Sequence, residues 1–286
     1  MQTLCVSGPG ATEVVDALAD RLADAGRVAT VDCTVETTDE STSADTTEIR
    51  VAPDGSWVGE GTGQSPMDLL DSLAADHDYA LVAGWRHHRL PTVLLGEPPV
   101  GSDGAPAESG DVSVESGDAD AAGAVNVVAT AESPDEIDLD ALCDRLDECE
   151  PHITLDTLVD RAKRSPLAER SGAIATFTGR VRTKDSADDA RTEQLTFEKY
   201  AGVAAEQMDA ISAELADRDG VFAVHMHHRV GTIRSGEDIV FVVVLAGHRE
   251  EAFRTVEDGI NRLKDEVPIF KKETTEADEF WLHEKA

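Results

Sequence analysis

One segment, between residues 239 and 267, constrains the fold of this chain more than any other, because a strand pattern passes directly into a helix pattern there. Residues 239–246 are apolar without interruption, a run typical of a buried strand and too short to span a membrane, which takes about twenty residues. Gly247 ends the run. Apolar residues then recur at spacings of three and four, which predicts an amphipathic helix: Phe253, Val256, Ile260, Leu263 and Val267.

Basic side chains lie at both ends of this predicted helix. His248 and Arg249 follow the strand, where the free N–H groups of a helix N-terminus favour an anion. Lys264 comes one turn after Ile260, at the margin of the apolar stripe, where we expect its ammonium group to be partly desolvated. Pro268 ends the helix, and it is soon followed by Lys271, Lys272 and Glu273.

Two interpretations of these cations remain open at this point. Helix ends often carry basic side chains only to satisfy backbone groups and the helix dipole. Arg249 argues against that interpretation, because a cation at a helix N-terminus lies at the unfavourable end of the dipole. The alternative is an anion-binding site.

Charge is distributed unevenly along the 286 residues, whose formal net charge is -33. Residues 1–150 hold 32 Asp and Glu against 6 Arg and no Lys, whereas residues 151–286 hold 26 against 19 and contain all seven lysines. Such acidity argues against binding to nucleic acid or anionic membranes, because affinity for phosphates comes from Lys and Arg. It is typical of proteins from salt-adapted cytosols.

Neither the cysteines nor the histidines predict a metal or another cofactor. Four cysteines all lie before residue 150 without a CxxC pair, so we expect small buried residues rather than a zinc site or disulfides. His225 and His227 share a strand face, but a closed zinc site needs four ligands. The N-terminus has no signal-peptide pattern, so the expected location is cytoplasmic.

The N-terminal part opens with a predicted strand, a turn at Gly8-Pro9-Gly10, a helix and a second strand. A nucleotide-binding P-loop requires GxxxxGK[ST], and here the last three positions hold Glu13, Val14 and Val15. With further strands near residues 79–85 and 90–95, this part resembles the adaptor proteins of molybdopterin-guanine dinucleotide biosynthesis. The resemblance implies an α/β, P-loop-like domain that has lost its phosphate loop.

The predicted domain boundary lies near residue 150. Residues 97–124 are rich in Gly, Ser, Pro, Ala and acid, which predicts an acidic insertion within the first domain, 1–150. Residues 151–286 alternate helices and strands, which predicts an α+β domain with helices on one face. At the end of its first strand, Gly179-Arg180-Val181-Arg182 places two guanidinium groups on the same side of an extended chain.

Several motifs of the second domain, in order and in spacing, resemble one family, the catalytic large subunit of molybdopterin synthase. They are GAIATFTGRVR from Gly172, FEKY from Phe197, HHRVG from His227, AGHREEAF from Ala246 and LKDEVPIFKKE from Leu263. The resemblance implies the hammerhead-like α/β fold of that subunit. It also implies sulfur transfer from the thiocarboxylated C-terminal Gly-Gly of a small ubiquitin-like partner to cyclic pyranopterin monophosphate. Two large subunits and two partners then form a heterotetramer.

The resemblance also implies roles for individual residues. Lys264 is the catalytic lysine, acting either as acid/base or directly on the partner's terminal carbonyl, and Lys271 is the second essential lysine. Lys285 corresponds to a basic residue that enters the neighbouring subunit's pocket. The implied substrate-binding residues are Phe177, Arg180, Val181, Arg182, His248, Arg249, Lys272 and Glu273. The alternative function is a non-catalytic adaptor that delivers pterin or nucleotide.

Overall fold

The computed structural model describes residues 1–34, 48–60, 63–96, 126–184, 186, 189–199, 201–275 and 279–282. The chain divides into two compact units, Met1–His152 and Ile153–Ala286. The acidic insertion predicted near residues 97–124 lies outside the described residues, as does Lys285. Among the helices of the described ranges, none combines the length and apolarity that crossing a membrane requires.

The first unit, Met1–His152, contains a five-stranded, fully parallel sheet of order β2-β5-β1-β6-β7. A separate antiparallel hairpin joins β3 to β4. The strands are β1 (Gln2–Ser7), β2 (Val28–Asp32), β3 (Glu48–Val51), β4 (Trp57–Glu60), β5 (Tyr79–Ala83), β6 (Pro91–Leu95) and β7 (Asn126–Ala131). The helices are α1 (Ala11–Leu22), α2 (Pro66–Leu73) and α3 (Leu139–Glu148).

Helices cover both faces of the parallel sheet, which explains why its three central strands, β1, β5 and β6, are buried along almost their whole length. Leu4 and Val6 of β1 point to the core formed with α1 and α3. Cys5 points to the opposite core, which contains Leu70 of α2. Burial raises the pKa of the Cys5 thiol to about 12. All four cysteines are free, but only Cys5 is buried, so the prediction of four buried cysteines was wrong for three of them.

The turn between β1 and α1 is tightly packed. Gly8 and Gly10 have φ angles of 115° and 82°, values that favour glycine. A Cβ atom on Gly8 would lie 2.0 Å from the Leu95 carbonyl oxygen, and one on Gly10 would lie 2.4 Å from the Pro134 ring. Neither glycine position therefore has room for a side chain, and α1 begins directly after the turn at Ala11.

The second unit, Ile153–Ala286, contains two antiparallel sheets, of order β10-β12-β8 and β11-β9-β13-β14. The strands are β8 (Ala173–Arg180), β9 (Thr192–Lys199), β10 (Val221–His228), β11 (Gly231–Arg234), β12 (Asp238–Ala246), β13 (Ile269–Thr275) and β14 (Glu279–Leu282). The helices are α4 (Leu155–Lys163), α5 (Ala201–Ala216) and α6 (Arg249–Glu266).

β12 is the central strand of the three-stranded sheet and is buried on both faces. Val242 and Val244 belong to the core shared with α5 and α6. Phe241 and Val243 point the other way, to a core that includes Leu158 of α4. Burial on both faces accounts for the uninterrupted apolar run. It also corrects the prediction that helices cover one face, because α4 lies on the face opposite to α5 and α6.

Several elements differ from the sequence-based expectation. β11 and β13 are strands that the sequence patterns did not predict. Phe253 does not belong to the buried stripe of α6, because 65% of its surface is exposed. The helix instead buries smaller residues: Ala252, Thr255 and Gly259, together with Ile260 and Leu263.

Candidate functional site

A cavity of about 700 Å³ opens in the second unit, where β8 ends and β12 begins. Its apolar lining comes from both sheets and from the last turns of α6. The apolar residues are Phe177, Leu195, Phe197, Ile239, Val240, Leu263, Val267 and Ile269. The polar lining consists of Thr178, Arg180, Arg182, Thr192, His228, Lys264, Lys271 and Glu273. Six of the predicted site residues are therefore brought together around one cavity.

Arg180 and Arg182 lie on one wall of the cavity, at the end of β8 and just after it. The Arg180 guanidinium donates to the Gly236 carbonyl and forms an ion pair with Asp238, with Nε 3.1 Å from Oδ1. Because both side chains of this pair are well exposed, we expect the pair to contribute less than about 1 kcal/mol to stability. Its main effect is to orient the guanidinium group.

Lys264 and Lys271 enter the same cavity from different elements. Lys264 lies in the last turn of α6, where a cation interacts favourably with the helix dipole. Its side chain is exposed, so the partial desolvation that we expected is not present in the isolated chain. Lys271 is half-buried on β13, directly opposite Phe197 of β9.

Side chains alternate between the two faces of β13, so Glu273 and Lys272 point in opposite directions. Lys271 and Glu273 point into the cavity, whereas Lys272 is half-buried but does not line it. The Thr192 hydroxyl donates to Glu273 Oε1 at 2.5 Å. The side-chain direction of this carboxylate is thereby fixed by a residue of β9.

Val181 does not contribute its side chain to the cavity. The side chain is 2% exposed and belongs to the hydrophobic core. Its backbone N–H donates to the Glu237 carbonyl at 2.9 Å, and its carbonyl accepts from Gly236 N–H at 2.9 Å. Val181 therefore holds the loop between two cavity-lining arginines through its backbone, and its role in substrate binding stays a prediction.

His248 and Arg249 lie away from the cavity. They follow Ala246, at the end of β12 opposite to Val240, which lines the cavity. The eight residues from Val240 to His248 span roughly 25 Å along an extended chain. Both side chains are exposed at the N-terminus of α6, next to the exposed Phe253. Within one chain, the predicted cation cluster is thus divided between two places.

The structure adds His228 to the cavity, a residue to which the sequence patterns assigned no role in the site. His228 is 6% exposed, and its Nδ1 lies 2.7 Å from the Arg229 carbonyl oxygen. Its ring meets that of Phe197 edge-on, with centroids 4.9 Å apart. Its position in the HHRVG motif was the available signal.

His225 and His227 lie on the opposite face of β10 from His228. His227 stacks on Phe241, which belongs to the core containing residues of α4. Burial lowers the pKa of His225, and the nearby Arg161 guanidinium lowers it further. These two histidines therefore belong to the packing around α4 rather than to the cavity.

The cavity lining suits a small anionic molecule that also carries an apolar surface. Among the described residues that line it are four cations and one carboxylate, in a protein whose net charge is -33. Cations pair with phosphate or carboxylate groups, and the aromatic and aliphatic floor accepts a flat ring system.

Comparison with known proteins finds relatives of the C-terminal unit and of the whole chain. Residues 150–266 match the family described as "MoaE protein". A Haloferax volcanii protein named "Probable molybdopterin synthase" is 53% identical over 287 residues, which cover 100% of both chains. A Pyrococcus abyssi protein named "Molybdopterin synthase catalytic subunit" is 35% identical over 39% of this chain and 74% of its own. The structure of molybdopterin synthase from Staphylococcus aureus is 30% identical, covers 47% of this chain and 93% of that chain, and gives a TM-score of 0.41.

Proposed function

The chain belongs to the MoaE family of molybdopterin synthase catalytic subunits, and from that premise we propose that its cavity is the place of sulfur transfer. The family places the chain in molybdenum cofactor biosynthesis as a sulfurtransferase-type enzyme. The proposed substrate is cyclic pyranopterin monophosphate. The proposed sulfur donor is the thiocarboxylated C-terminal Gly-Gly of a small ubiquitin-like protein, and the product is a dithiolene.

The observation that carries this proposal is the convergence of Arg180, Arg182, Lys264 and Lys271 around one apolar cavity. The substrate phosphate and the thiocarboxylate are both anions, and removing them from water requires paired cations. A flat pterin ring matches the floor formed by Phe177 and Phe197. The sulfur comes from the partner, so the reaction needs no cysteine of this chain.

Lys264 and Lys271 are the proposed catalytic lysines. Lys264 lies on an exposed helix end at the cavity wall, where a partner's tail can reach it. Two roles fit that position: a proton donor and acceptor for the pterin, or a nucleophile towards the partner's terminal carbonyl. Glu273, held by Thr192, lies two residues from Lys271 on the same strand face.

A homodimer of these chains is part of the proposal. His248 and Arg249 lie too far along β12 to reach the cavity of their own chain. They reach a cavity only if they belong to a second copy, and the exposed Phe253 beside them supplies an apolar contact for such a copy. Lys285 has the same proposed role, although it lies outside the described residues. Two partners then complete a heterotetramer.

The N-terminal domain, residues 1–150, is proposed to be a P-loop-like adaptor domain without nucleotide chemistry. The support is its parallel sheet together with a turn too short and too tightly packed to enclose phosphates. Its excess of acid fits a salt-adapted cytosol, the proposed location. The second candidate function, a non-catalytic adaptor, is favoured only by this domain, since residues 151–286 retain the lysines that sulfur transfer requires.

Reconstitution tests the proposal. Purified chain is mixed at high salt with cyclic pyranopterin monophosphate and the thiocarboxylated carrier, and dithiolene product is measured after its oxidation to a fluorescent derivative. The matched control is the same carrier with an ordinary C-terminal carboxylate, which has no sulfur to give. Product from the thiocarboxylate alone supports the function, and absence of product from both requires that it be abandoned.

A further inference from the structure

Glu273 is the one acidic side chain among the described residues that line the cavity, whose cations are Arg180, Arg182, Lys264 and Lys271. The phosphate of the proposed substrate and the thiocarboxylate of the proposed donor are anions, and a carboxylate repels them. Glu273 therefore suits a different part of the substrate from the part that the cations bind.

A buried hydroxyl holds this carboxylate in place. Thr192 is 8% exposed, and its Oγ1 donates to Glu273 Oε1 at 2.5 Å, a separation typical of a hydroxyl bound to a charged oxygen. A hydroxyl has one proton to donate, so this bond favours one orientation of the carboxylate. Both residues line the cavity.

An irregularity in strand pairing turns Thr192 towards the cavity. The pairing of β9 with β13 shifts register between Thr274 and Thr275, so that Glu193 is an extra residue of β9 and forms a β-bulge. Side chains alternate along a regular strand, and without the bulge Thr192 would point away from the face that carries Leu195, which lines the cavity. Bulges often redirect a side chain next to a functional site.

The backbone of Thr192 is bonded to the opposite, arginine-bearing wall. Its N–H donates to the Thr183 carbonyl at 2.8 Å, and Thr183 directly follows Arg182. The Thr183 hydroxyl oxygen lies 2.6 Å from Ser235 Oγ. Thr192 thus contacts the acidic wall through its side chain and the arginine wall through its backbone.

The chemistry of a pterin ring indicates what a held carboxylate can bind. A pterin carries an amide N–H next to an amino group, two donors side by side as in a guanidinium group. A carboxylate has two oxygens with about four lone-pair sites, and the bond from Thr192 uses one of them. Each N–H that leaves water needs an acceptor, and a charged acceptor forms the stronger bond. A hydroxyl such as that of Thr178, which also lines the cavity, offers a single uncharged oxygen, so the carboxylate is the better match.

We propose that Thr192 is a positioning residue, which holds the Glu273 carboxylate towards the amide and amino N–H groups of the pterin. The cations bind the phosphate and the held carboxylate binds the ring, so the substrate is bound in one orientation. This inference rests on the proposed function for its substrate. Its consequence is selectivity for rings that carry two adjacent donors at that edge.

Two substitutions of Thr192 separate the effect of its hydroxyl from that of its bulk. Thr192→Val keeps the shape and removes the hydroxyl, whereas Thr192→Ser keeps the hydroxyl. The net contribution of one hydrogen bond corresponds to about fivefold in an equilibrium constant. We expect Thr192→Val to raise KM for the pterin about fivefold, with kcat within about twofold of wild type. Thr192→Ser should stay within about twofold of wild type in both constants.

Direct titration measures the same effect without turnover. Binding of cyclic pyranopterin monophosphate to the full chain is measured by calorimetry at high salt without the carrier protein, and inorganic phosphate is titrated in parallel. Thr192→Val should weaken binding of the pterin and leave that of phosphate unchanged, whereas Arg182→Ala should weaken both. The matched control is Thr196→Val, a threonine of the same strand that pairs with Lys272 on the face away from the cavity, and it should alter neither.

A double-mutant cycle tests whether Thr192 acts through Glu273. Glu273→Ala removes the proposed acceptor and should weaken pterin binding about 12- to 150-fold, because N–H donors lose a charged partner. In that background, Thr192→Val should have no further effect. Additive effects of the two substitutions would show that Thr192 does not act through the carboxylate, and the inference would fail.

Failure of this inference and failure of the function give different results. If the wild-type chain binds the pterin but makes no dithiolene, the proposed function fails, and the titrations still decide the role of Thr192. If dithiolene forms but Thr192→Val binds the pterin as tightly as wild type, or no more weakly than Thr192→Ser, the inference is overturned. A wild-type chain that binds no pterin overturns both.

A crystal structure of the wild-type chain with bound pterin decides the question should the Thr192 variants unfold. A Glu273 carboxylate oxygen within about 3.2 Å of a pterin nitrogen supports the inference, and a separation above about 4 Å overturns it.

Discussion

Lys264 shows how a single residue is open to both a structural and a catalytic interpretation. It lies in the last turn of α6, where a cation stabilises the helix through its dipole by about 0.3–1 kcal/mol. The same side chain is exposed at the wall of a cavity that contains three other cations. The dipole alone does not require this position, since any residue of the last turn would serve it. The two interpretations predict different consequences of its removal.

Lys264→Ala is expected to abolish most turnover without unfolding the protein. Alanine is the best helix former, and the dipole interaction is small, so the free energy of unfolding should fall by less than about 1 kcal/mol. Loss of a positioned acid/base group typically reduces the rate by about two to four orders of magnitude. Steady-state dithiolene formation and thermal unfolding measure the two effects separately.

Lys163→Ala is the matched control for that experiment. Lys163 also lies in the last turn of a helix, α4, and it forms an exposed ion pair with Asp160 at 3.2 Å. Such pairs contribute about 0–1 kcal/mol, so both activity and stability should be close to wild type. Equal losses of activity in the two variants would show that Lys264 has only a structural role.

Individual residues also show where sequence patterns predict a site and where they do not. Arg180 and Arg182 were expected on the same side of an extended chain, and both line the cavity. Phe253 fits the apolar spacing of α6 but is exposed, because spacing gives a face and cannot specify what covers it. His228 was missed because burial and the hydrogen bond to Arg229 depend on contacts between β10 and its neighbours.

At the scale of elements, β12 organises the second unit and separates its two groups of basic residues. Its apolar run correctly predicted a buried strand, since burial on both faces leaves a continuous hydrophobic sequence. The cavity lies at the first residues of β12, whereas His248 follows the last residue of this strand. Local sequence patterns could not predict strand pairing across long sequence distances, such as the pairing of β9 with β13.

The turn between β1 and α1 leads to a prediction about nucleotide binding. α1 begins at Ala11, and Val14 and Val15 are buried against the sheet at the positions where a P-loop has lysine and a hydroxyl. Without those groups, neither phosphates nor Mg²⁺ can be held. The full chain should therefore show no ATP or GTP binding in the micromolar range by calorimetry, with or without Mg²⁺.

A measured micromolar affinity that requires Mg²⁺ would contradict this account of the N-terminal unit. A competent P-loop protein titrated in the same high-salt buffer is the control for the assay. It must bind nucleotide there, because screening by salt weakens phosphate contacts.

At the scale of the whole molecule, the lysines are concentrated in one part of the chain. Residues 1–150 have no lysine, and all seven lysines lie in residues 151–286. In a chain of net charge -33, self-repulsion opposes association, so a homodimer needs specific apolar contacts. The exposed Phe253, beside His248 and Arg249, is the contact that we propose. The N-terminus of α6 therefore carries both the proposed dimer contact, Phe253, and two proposed substrate-binding residues, His248 and Arg249.

Mixing two inactive variants tests whether the site is shared between two copies. In a shared site, a Lys264→Ala chain still supplies Arg249 to its partner, and an Arg249→Ala chain still supplies Lys264. A mixed dimer then has one intact site and one that lacks both residues. If subunits exchange at random, half of the dimers are mixed, and activity should recover to about a quarter of wild type. A site confined to one chain predicts no recovery, because every chain in the mixture has lost one essential residue. Activity no greater than the sum of the two separate variants, once co-purification of differently tagged chains shows that subunits have exchanged, would therefore contradict a site shared between two copies.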